Sequence, residues 1–337
     1  MNSSVQPNPF NDLAPLQLVT AYGGQCHLNW HAGQFSEVKV AAPKPELPVL
    51  LCFGRDFSWE LLSTLAQALA LPSGIFTLSL SKPHPALPAA LRLHLPLTYQ
   101  PTPALLSRLA LDHDCQLVYL AQQPTLRKPG LLVMDMDSTA IEIECIDEIA
   151  ALAGVGEQVA AITARAMNGE LDFAQSLLAR VKALAGAPES VLAAVLQTLP
   201  LMPGLTELVQ QLRQHQWQLA IASGGFTYFT EALQQRLGLS ATFANQLEIV
   251  DGKLTGRVLG NIVDAKRKAE VVTELAQRYQ IAPSQTVAIG DGANDLPMLA
   301  EAALGVAFHA KPKVQAAAKA AITTGSLLQL LYLLDCP

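Results

Sequence analysis

Leu131-Leu132-Val133-Met134-Asp135-Met136-Asp137-Ser138-Thr139 runs a short, wholly apolar segment straight into two carboxylates and two hydroxyls. Uninterrupted apolar runs of this length are the pattern of strands covered on both faces in a parallel sheet, which puts the acids at a strand's carboxyl end. Residues two apart on an extended chain point the same way, so Asp135 and Asp137 can address one site. Taken alone, the pair reads equally well as a solvated turn. Outward from it, the apolar run recurs at 219–222, 287–289 and 305–308, with helical spacing at 206–213, 228–237 and 269–279. That alternation predicts an α/β fold with a doubly wound parallel sheet, whose ligands sit at the strand carboxyl ends. Two inserts break the rhythm. Residues 146–199 are almost wholly helical and read as a cap over about 146–200, while 246–258 alternate about Asp251-Gly252 as a hairpin.

Upstream, 47–53 and 76–80 are extended apolar runs around a helical 59–70, and 91–97, 103–111 and 116–121 repeat strand, helix, strand. The order β-α-β-β-α-β predicts an α+β, ferredoxin-like module. Residues before 47 show no clear period. A Pro/Lys/Gly break at 124–130 divides the chain into an N-terminal module, 1–127, and a second unit, 128–337, which carries the chemistry.

Composition narrows the class. The chain has 337 residues, half of them hydrophobic, with 22 Lys and Arg against 28 Asp and Glu and a net charge of −6. Mean hydropathy is +0.28, so material for burial is ample. A deficit of positive charge argues against broad binding to nucleic acid or anionic membranes, though a few local cations suffice for one small anion. Five scattered cysteines without a C-x-x-C pair disfavour a disulfide framework or a zinc site and fit a reducing cytoplasm. The polar opening with Asn2, Ser3 and Ser4 lacks the pattern of an export signal. The apolar 327–334 stretch is too short to span a membrane and reads as a buried helix.

Further motifs follow the other strands. Gly290-Asp291-Gly292-Ala293-Asn294-Asp295 combines a tight turn with hard oxygen ligands, Ser223-Gly224-Gly225 offers a hydroxyl and amides to an anion, and Lys266-Arg267-Lys268 supplies cations. Each has a plain alternative: a polar loop, a small-residue turn, a solvated helix face. Their order along one sheet is what decides. Together they resemble the haloacid dehalogenase superfamily of phosphotransferases over 131–324.

That resemblance implies one Mg²⁺ bound through Asp135, the main-chain carbonyl of Asp137 and Asp291. It makes Asp135 the nucleophile of an aspartyl-phosphate intermediate and Asp137 the general acid and base. Ser223, Gly224 and a lysine would hold the phosphoryl oxygens. Lys268 fits the spacing to Asp291 better than Lys266. Asn294 would hydrogen-bond the site, and Asp295 would hold the loop or the lysine. Within the superfamily, I-E-I-E-C-I-D-E-I at 141–149 and A-M-N-G-E-L-D-F-A-Q-S-L-L-A-R-V at 166–181 resemble the phosphoserine phosphatase family. The implied substrate is O-phospho-L-serine, hydrolysed in the last step of serine biosynthesis, with another small phosphomonoester as the alternative. Glu144 matches the ammonium partner and Arg180 the carboxylate clamp, with Phe173 and Met167 as apolar walls. The N-terminal module resembles the ACT-like small-molecule modules fused to metabolic enzymes, and a homodimer through it is a further expectation. His309, His27 and His31 lack the companions of a metal site and read as ordinary residues.

Overall fold

The computed structural model describes residues 14–21, 25–38 and 48–336. Asn2, Ser3 and Ser4 lie outside them, as does Leu47 at the start of the first expected strand. Two sheets organise the described residues. The first arises from α1 (Pro15–Ala21), β1 (Gln25–His31), β2 (Gln34–Glu37), β3 (Val49–Phe53), α2 (Trp59–Ala68), β4 (Gly74–Ser81), β5 (Ala90–His94), α3 (Pro103–Asp112) and β6 (Gln116–Leu120). Its order, β2-β1-β4-β5-β3-β6, is antiparallel throughout. Strands β3 to β6 with α2 and α3 form the expected ferredoxin-like unit. Local signals set the helix starts: Ser58 accepts the Leu61 amide, and Thr102 accepts that of Leu105 ahead of Pro103. The β1–β2 hairpin adds to the β4 edge, and Cys26, Leu28 and Trp30 alternate on its buried face, a two-residue period that the sequence reading missed.

Alternation in this sheet divides its side chains between two cores. Leu50, Cys52, Leu91, Leu93 and Leu117 pack with Leu61, Leu62, Leu65, Leu106 and Leu109 of α2 and α3. Val49, Leu51, Phe53, Ala90, Val118 and Leu120 face the other way and belong to the core of the second unit. Strand β3 is therefore buried along its whole length.

The second unit follows as β7 (Leu131–Met134), α4 (Cys145–Leu152), α5 (Gly156–Met167), α6 (Phe173–Ala183), α7 (Ser190–Gln197), α8 (Leu205–Gln214), β8 (Gln218–Phe226), α9 (Thr227–Leu237), β9 (Ala241–Val250), β10 (Lys253–Leu259), α10 (Ala265–Arg278), β11 (Thr286–Gly290), α11 (Leu296–Glu301), β12 (Leu304–Phe308), α12 (Pro312–Ala317) and β13 (Ala320–Ile322). Its sheet runs β10-β9-β8-β7-β11-β12-β13 and is parallel except for the β9–β10 hairpin. The apolar runs of β7, β11 and β12 are buried on both faces, as their sequence requires. Several details differ from the sequence reading, among them β5, which stops at His94, short of the expected 97. Strand β8 continues through Ser223-Gly224-Gly225 to Phe226. Helix α10 starts at Ala265, because Asp264 caps it by accepting the Arg267 amide at 2.8 Å. The buried segment Leu327–Leu333 is a 3-10 helix.

Helices α4 to α7 leave and rejoin the sheet through a short paired stem, in which Ile141 bridges Leu201. The Glu142 amide donates to the Pro200 carbonyl, and the Met202 amide to that of Ala140. The β10 side of the hairpin braces this cap from the flank: the Gly186 amide donates to Leu254 O, and the Leu254 amide to Ala187 O. Among the described residues no helix is long and apolar enough to cross a membrane.

Candidate active site

The chain winds outward from β7 through β8 to β10, then returns to β11 on the other side. Its carboxyl ends therefore meet at the point where the winding reverses, the place where open α/β sheets bind ligands. The Asp135 amide still belongs to the ladder, donating to Ile289 O at 3.0 Å. Beyond it the chain coils around one acceptor: the Met136 carbonyl takes the amides of Thr139, Ala140 and Ile141. Ser138 adopts a left-handed φ of 57° to close the coil. Asp137 is returned to the same pocket, where its Oδ1 accepts the Cys145 amide at 3.1 Å from the first turn of α4.

Asp135 is 6% exposed, with Oδ1 accepting the Met136 amide at 2.7 Å and Oδ2 lying 2.9 Å from Lys268 Nζ. Lys268 falls on the buried face of α10 with Val271, Val272 and Leu275, and its ammonium also reaches Asp295 Oδ1 at 2.8 Å. Burial alone would discharge this lysine; the Asp135 and Asp295 carboxylates outweigh it and raise its pKa. Lys266 points the other way, 85% exposed and 3.7 Å from Glu270. Of the two lysines, Lys268 is the one that lies among the acids.

The acids are crowded. Burial, then Asp295, raise Asp135 well above the usual carboxylate range against the pull of Lys268. Burial and the neighbouring Glu144 push Asp137 up to about 7. Burial and Asp295 push Asp291 up to about 6, while the Thr139 hydroxyl, donating to Asp291 Oδ1 at 3.1 Å, opposes the rise. Several carboxylates around one ammonium leave uncompensated negative charge in a dry pocket, the setting that favours a bound cation. Carboxylate oxygens of Asp135, Asp291 and Asp295 lie within 4.8 Å of one another and could hold a metal ion. Both Asp295 oxygens are already engaged, one by Lys268 at 2.8 Å and one by the Gly292 amide at 2.9 Å. Asp295 therefore links the Gly292 loop to Lys268. Asn294 stands beside Gly292, close enough that a Cβ there would strike its Oδ1.

The β8 turn faces this cluster. Ser223 Oγ, 1% exposed, accepts the Gly225 amide at 2.9 Å. A Cβ on Gly225 would lie 2.8 Å from Asp137 Oδ2, and one on Gly224 would lie 2.6 Å from Phe173 Cζ, so the turn needs both glycines for close approach. Asn245, fully buried on β9, donates through Nδ2 to Gly224 O at 2.7 Å and accepts the Val263 amide at 2.9 Å. One side chain thereby ties the turn to the segment that leads into α10 and Lys268.

From the cap, Asp172 and Gln175 form a reciprocal capping box that fixes the start of α6 at Phe173. Glu144, exposed along its side chain, accepts the Ser138 hydroxyl at 2.8 Å; partial burial of the carboxyl raises its pKa and that hydrogen bond opposes it. Arg180 is half-buried, and its Nε is buried with no hydrogen-bond partner. Burial lowers its pKa, while Asp147, Glu144 and Asp137 pull the other way. Met167 ends α5 with 69% of its surface exposed, outside the buried set. The sequence reading gave no role to Thr139, Asn245 or Asp172. Of these, only Asp172, three residues before Gln175, carries a local signal.

The sequence profile of the haloacid dehalogenase-like hydrolases matches residues 130–303. A phosphoserine phosphatase of Vibrio cholerae serotype O1 is 60% identical over 204 residues, which cover 60% of this chain and 62% of that relative's length. The solved structure of a probable phosphoserine phosphatase from Vibrio cholerae, in unliganded form, superposes with a TM-score of 0.72 at 42% identity, covering 88% of each chain. A phospho-aspartyl intermediate analogue of phosphoserine phosphatase superposes with a TM-score of 0.59 at 38% identity, covering 62% of this chain and 100% of that one. With its acids, lysine and glycine turn gathered at one sheet edge beneath a helical cap, the chain belongs to the haloacid dehalogenase-like hydrolases and, within them, to the phosphoserine phosphatases.

Proposed function

We propose that this protein hydrolyses O-phospho-L-serine to L-serine and inorganic phosphate as a cytoplasmic enzyme of serine biosynthesis. Residues 128–337 form the catalytic unit, with 146–200 as its cap and 1–127 as an accessory module. The observation that carries the substrate assignment is Arg180, whose buried Nε has no partner in the protein. A buried unpaired donor is costly and implies an acceptor brought by a ligand, here the substrate carboxylate. Glu144 takes the ammonium, Phe173 and Met167 line the apolar side, and the two charges select an amino-acid phosphate over a simple one.

Asp135 attacks phosphorus in line and becomes the aspartyl phosphate. Lys268 holds its carboxylate in place, consistent with the 2.9 Å contact. Asp137 protonates the departing serine oxygen and later takes a proton from the attacking water; a pKa near neutrality suits both tasks. Ser223, the Gly224 amide and Lys268 receive the phosphoryl oxygens, and Asn294 adds a hydrogen bond. Mg²⁺ held through Asp135, the Asp137 carbonyl and Asp291 would neutralise charge between nucleophile and substrate. The solved phospho-aspartyl analogue supports this order of events in a relative.

Rapid quench with labelled phosphoserine tests the assignment. Wild-type protein should yield a hydroxylamine-labile phosphoenzyme mapped to Asp135, and Asp135→Asn none. Asp137→Asn should lose on the order of 10² to 10⁴ in rate and retain its label. Label on Asp137 would reject the scheme, and a preference for simple alkyl phosphates over phosphoserine would reject the substrate.

A further inference from the structure

A second polar pocket, of about 400 Å³, lies where the first sheet meets the catalytic unit and is lined by Ser79, Lys82, Arg92, His94, His215 and Asp335 among others. His215 follows α8 and precedes β8, so the pocket sits at the amino ends of the parallel strands, the opposite edge from Asp135. Its chemistry departs from its surroundings. Register pairs Leu51 with Arg92 and Val49 with His94, so these two share the sheet face whose β3 and β6 residues are buried apolar side chains. Ser79 pairs with Arg92 from β4 and offers its Oγ to His94 Nε2 at 2.9 Å. Across the cleft, the His215 ring bonds Leu126 O through Nδ1 at 2.9 Å, which fixes its orientation.

Arg92 is half-buried, and its Nη2 donates to a neutral partner, Gln123 Oε1, at 2.6 Å. Among the described residues it forms no ion pair. The nearby acid, Asp335, is engaged elsewhere, accepting the Thr125 hydroxyl at 3.0 Å and lying 3.8 Å from Arg127. A guanidinium drawn out of water without a carboxylate is unfavourable, and burial does lower its pKa, with Asp335 opposing. One half-buried guanidinium held by Gln123, the exposed ammonium of Lys82, two imidazoles and a hydroxyl around a cavity of small-molecule size suit a compact dianion.

We infer that this pocket is a second ligand site, separate from catalysis, that takes the phosphoryl group of a small molecule, with Arg92 as its anchoring residue. Free phosphate and a small organic phosphate present the same group, so the experiment carries an arm for each. Full-length protein labelled with ¹⁵N-histidine is titrated at constant pH and ionic strength with inorganic phosphate or with phenylphosphonate. None of the catalytic-site residues named above is a histidine, so the imidazole signals of His94 and His215 report on this pocket. Both should shift together and saturate; saturation by phosphate alone assigns the free ion, and saturation by phenylphosphonate extends the site to organic phosphates. Arg92→Gln should weaken the saturation roughly ten- to 150-fold. Lys82→Gln, at an exposed position that cannot unsettle the fold, should weaken it about two- to fivefold. No saturable shift in either arm, or saturation unchanged in Arg92→Gln, would overturn the site.

Discussion

Asp137 carries a stability consequence as well as a chemical one. Its carboxyl titrates near 3.8 when unfolded and at about 7 in the fold. A raised folded value means that the native state favours the protonated form, so its contribution is complete below pH 3.8 and is lost as pH rises through 7. Asp291, pushed up to about 6, acts in the same direction. In protein stripped of metal by EDTA, Asp137→Asn should therefore raise Tm above wild type at pH 8 and leave it unchanged near pH 4. The gain should be roughly 1–2 °C for each kcal/mol recovered. A stabilisation independent of pH would show that the asparagine acts through packing. For Arg180, charge-assisted hydrogen bonds contribute about 1.5–3 kcal/mol each, so Arg180→Ala should lower kcat/KM for phosphoserine roughly ten- to 150-fold. An aryl phosphate, which lacks the carboxylate, should lose far less. Equal losses on both substrates would make Arg180 a structural residue.

Helix α6 meets the β8 turn where the Phe173 ring lies against Gly224. Gly224→Ala would set a methyl 2.6 Å from Phe173 Cζ, an overpacking expected to destabilise by about 1–3 kcal/mol and to displace the cap from the turn proposed to hold the phosphoryl group. Phe173→Leu in the same chain should recover part of the Tm, a coupling that a double-mutant cycle measures directly. Asp172→Ala should cost about 0.5–2 kcal/mol through the lost helix cap, read as a lower Tm. Asp172 was open to discovery because a cap and its partner sit three residues apart. Strand β7 and its acids were legible for a related reason: a buried strand and the loop after it are contiguous in sequence. Thr139 reaches Asp291 across 152 positions, and Asn245 joins a turn 21 residues behind it to an amide 18 ahead. Such contacts are made by the fold and leave no local spacing to read. Strand β13, with three residues, was hidden because it is too brief to show a period, whereas β1 alternates Cys26, Leu28 and Trp30 with polar residues and was legible but missed.

At the scale of the molecule, every catalytic group proposed above lies after Gly130, an arrangement that by itself would let the second unit work alone. The packing places a condition on that. Phe53 rests on Tyr332 with ring centroids 4.9 Å apart, and the Gln116 side chain both accepts the Thr323 amide at 2.9 Å and donates to Thr324 O at 3.1 Å. The segment between the sheets is itself pinned, with Thr125 bridged to Asp335. A fragment from Lys128 onward would expose the apolar surface that Val49, Leu51, Val118 and Leu120 cover. It should express mainly as aggregate, and co-expression with residues 1–127 should restore soluble, phosphate-releasing protein. A soluble fragment of full activity would show that the shared core is dispensable. Strand β3 belongs to the accessory sheet in sequence, yet it is covered on both faces and paired on both edges. Opening that strand would strip Val49, Leu51 and Phe53 from the core of the second unit, so its amides should exchange at the rate of global unfolding and rank with those of β7. On heating, the two units should then melt as one cooperative transition, with a strand some eighty residues ahead of Asp135 serving as its common keel.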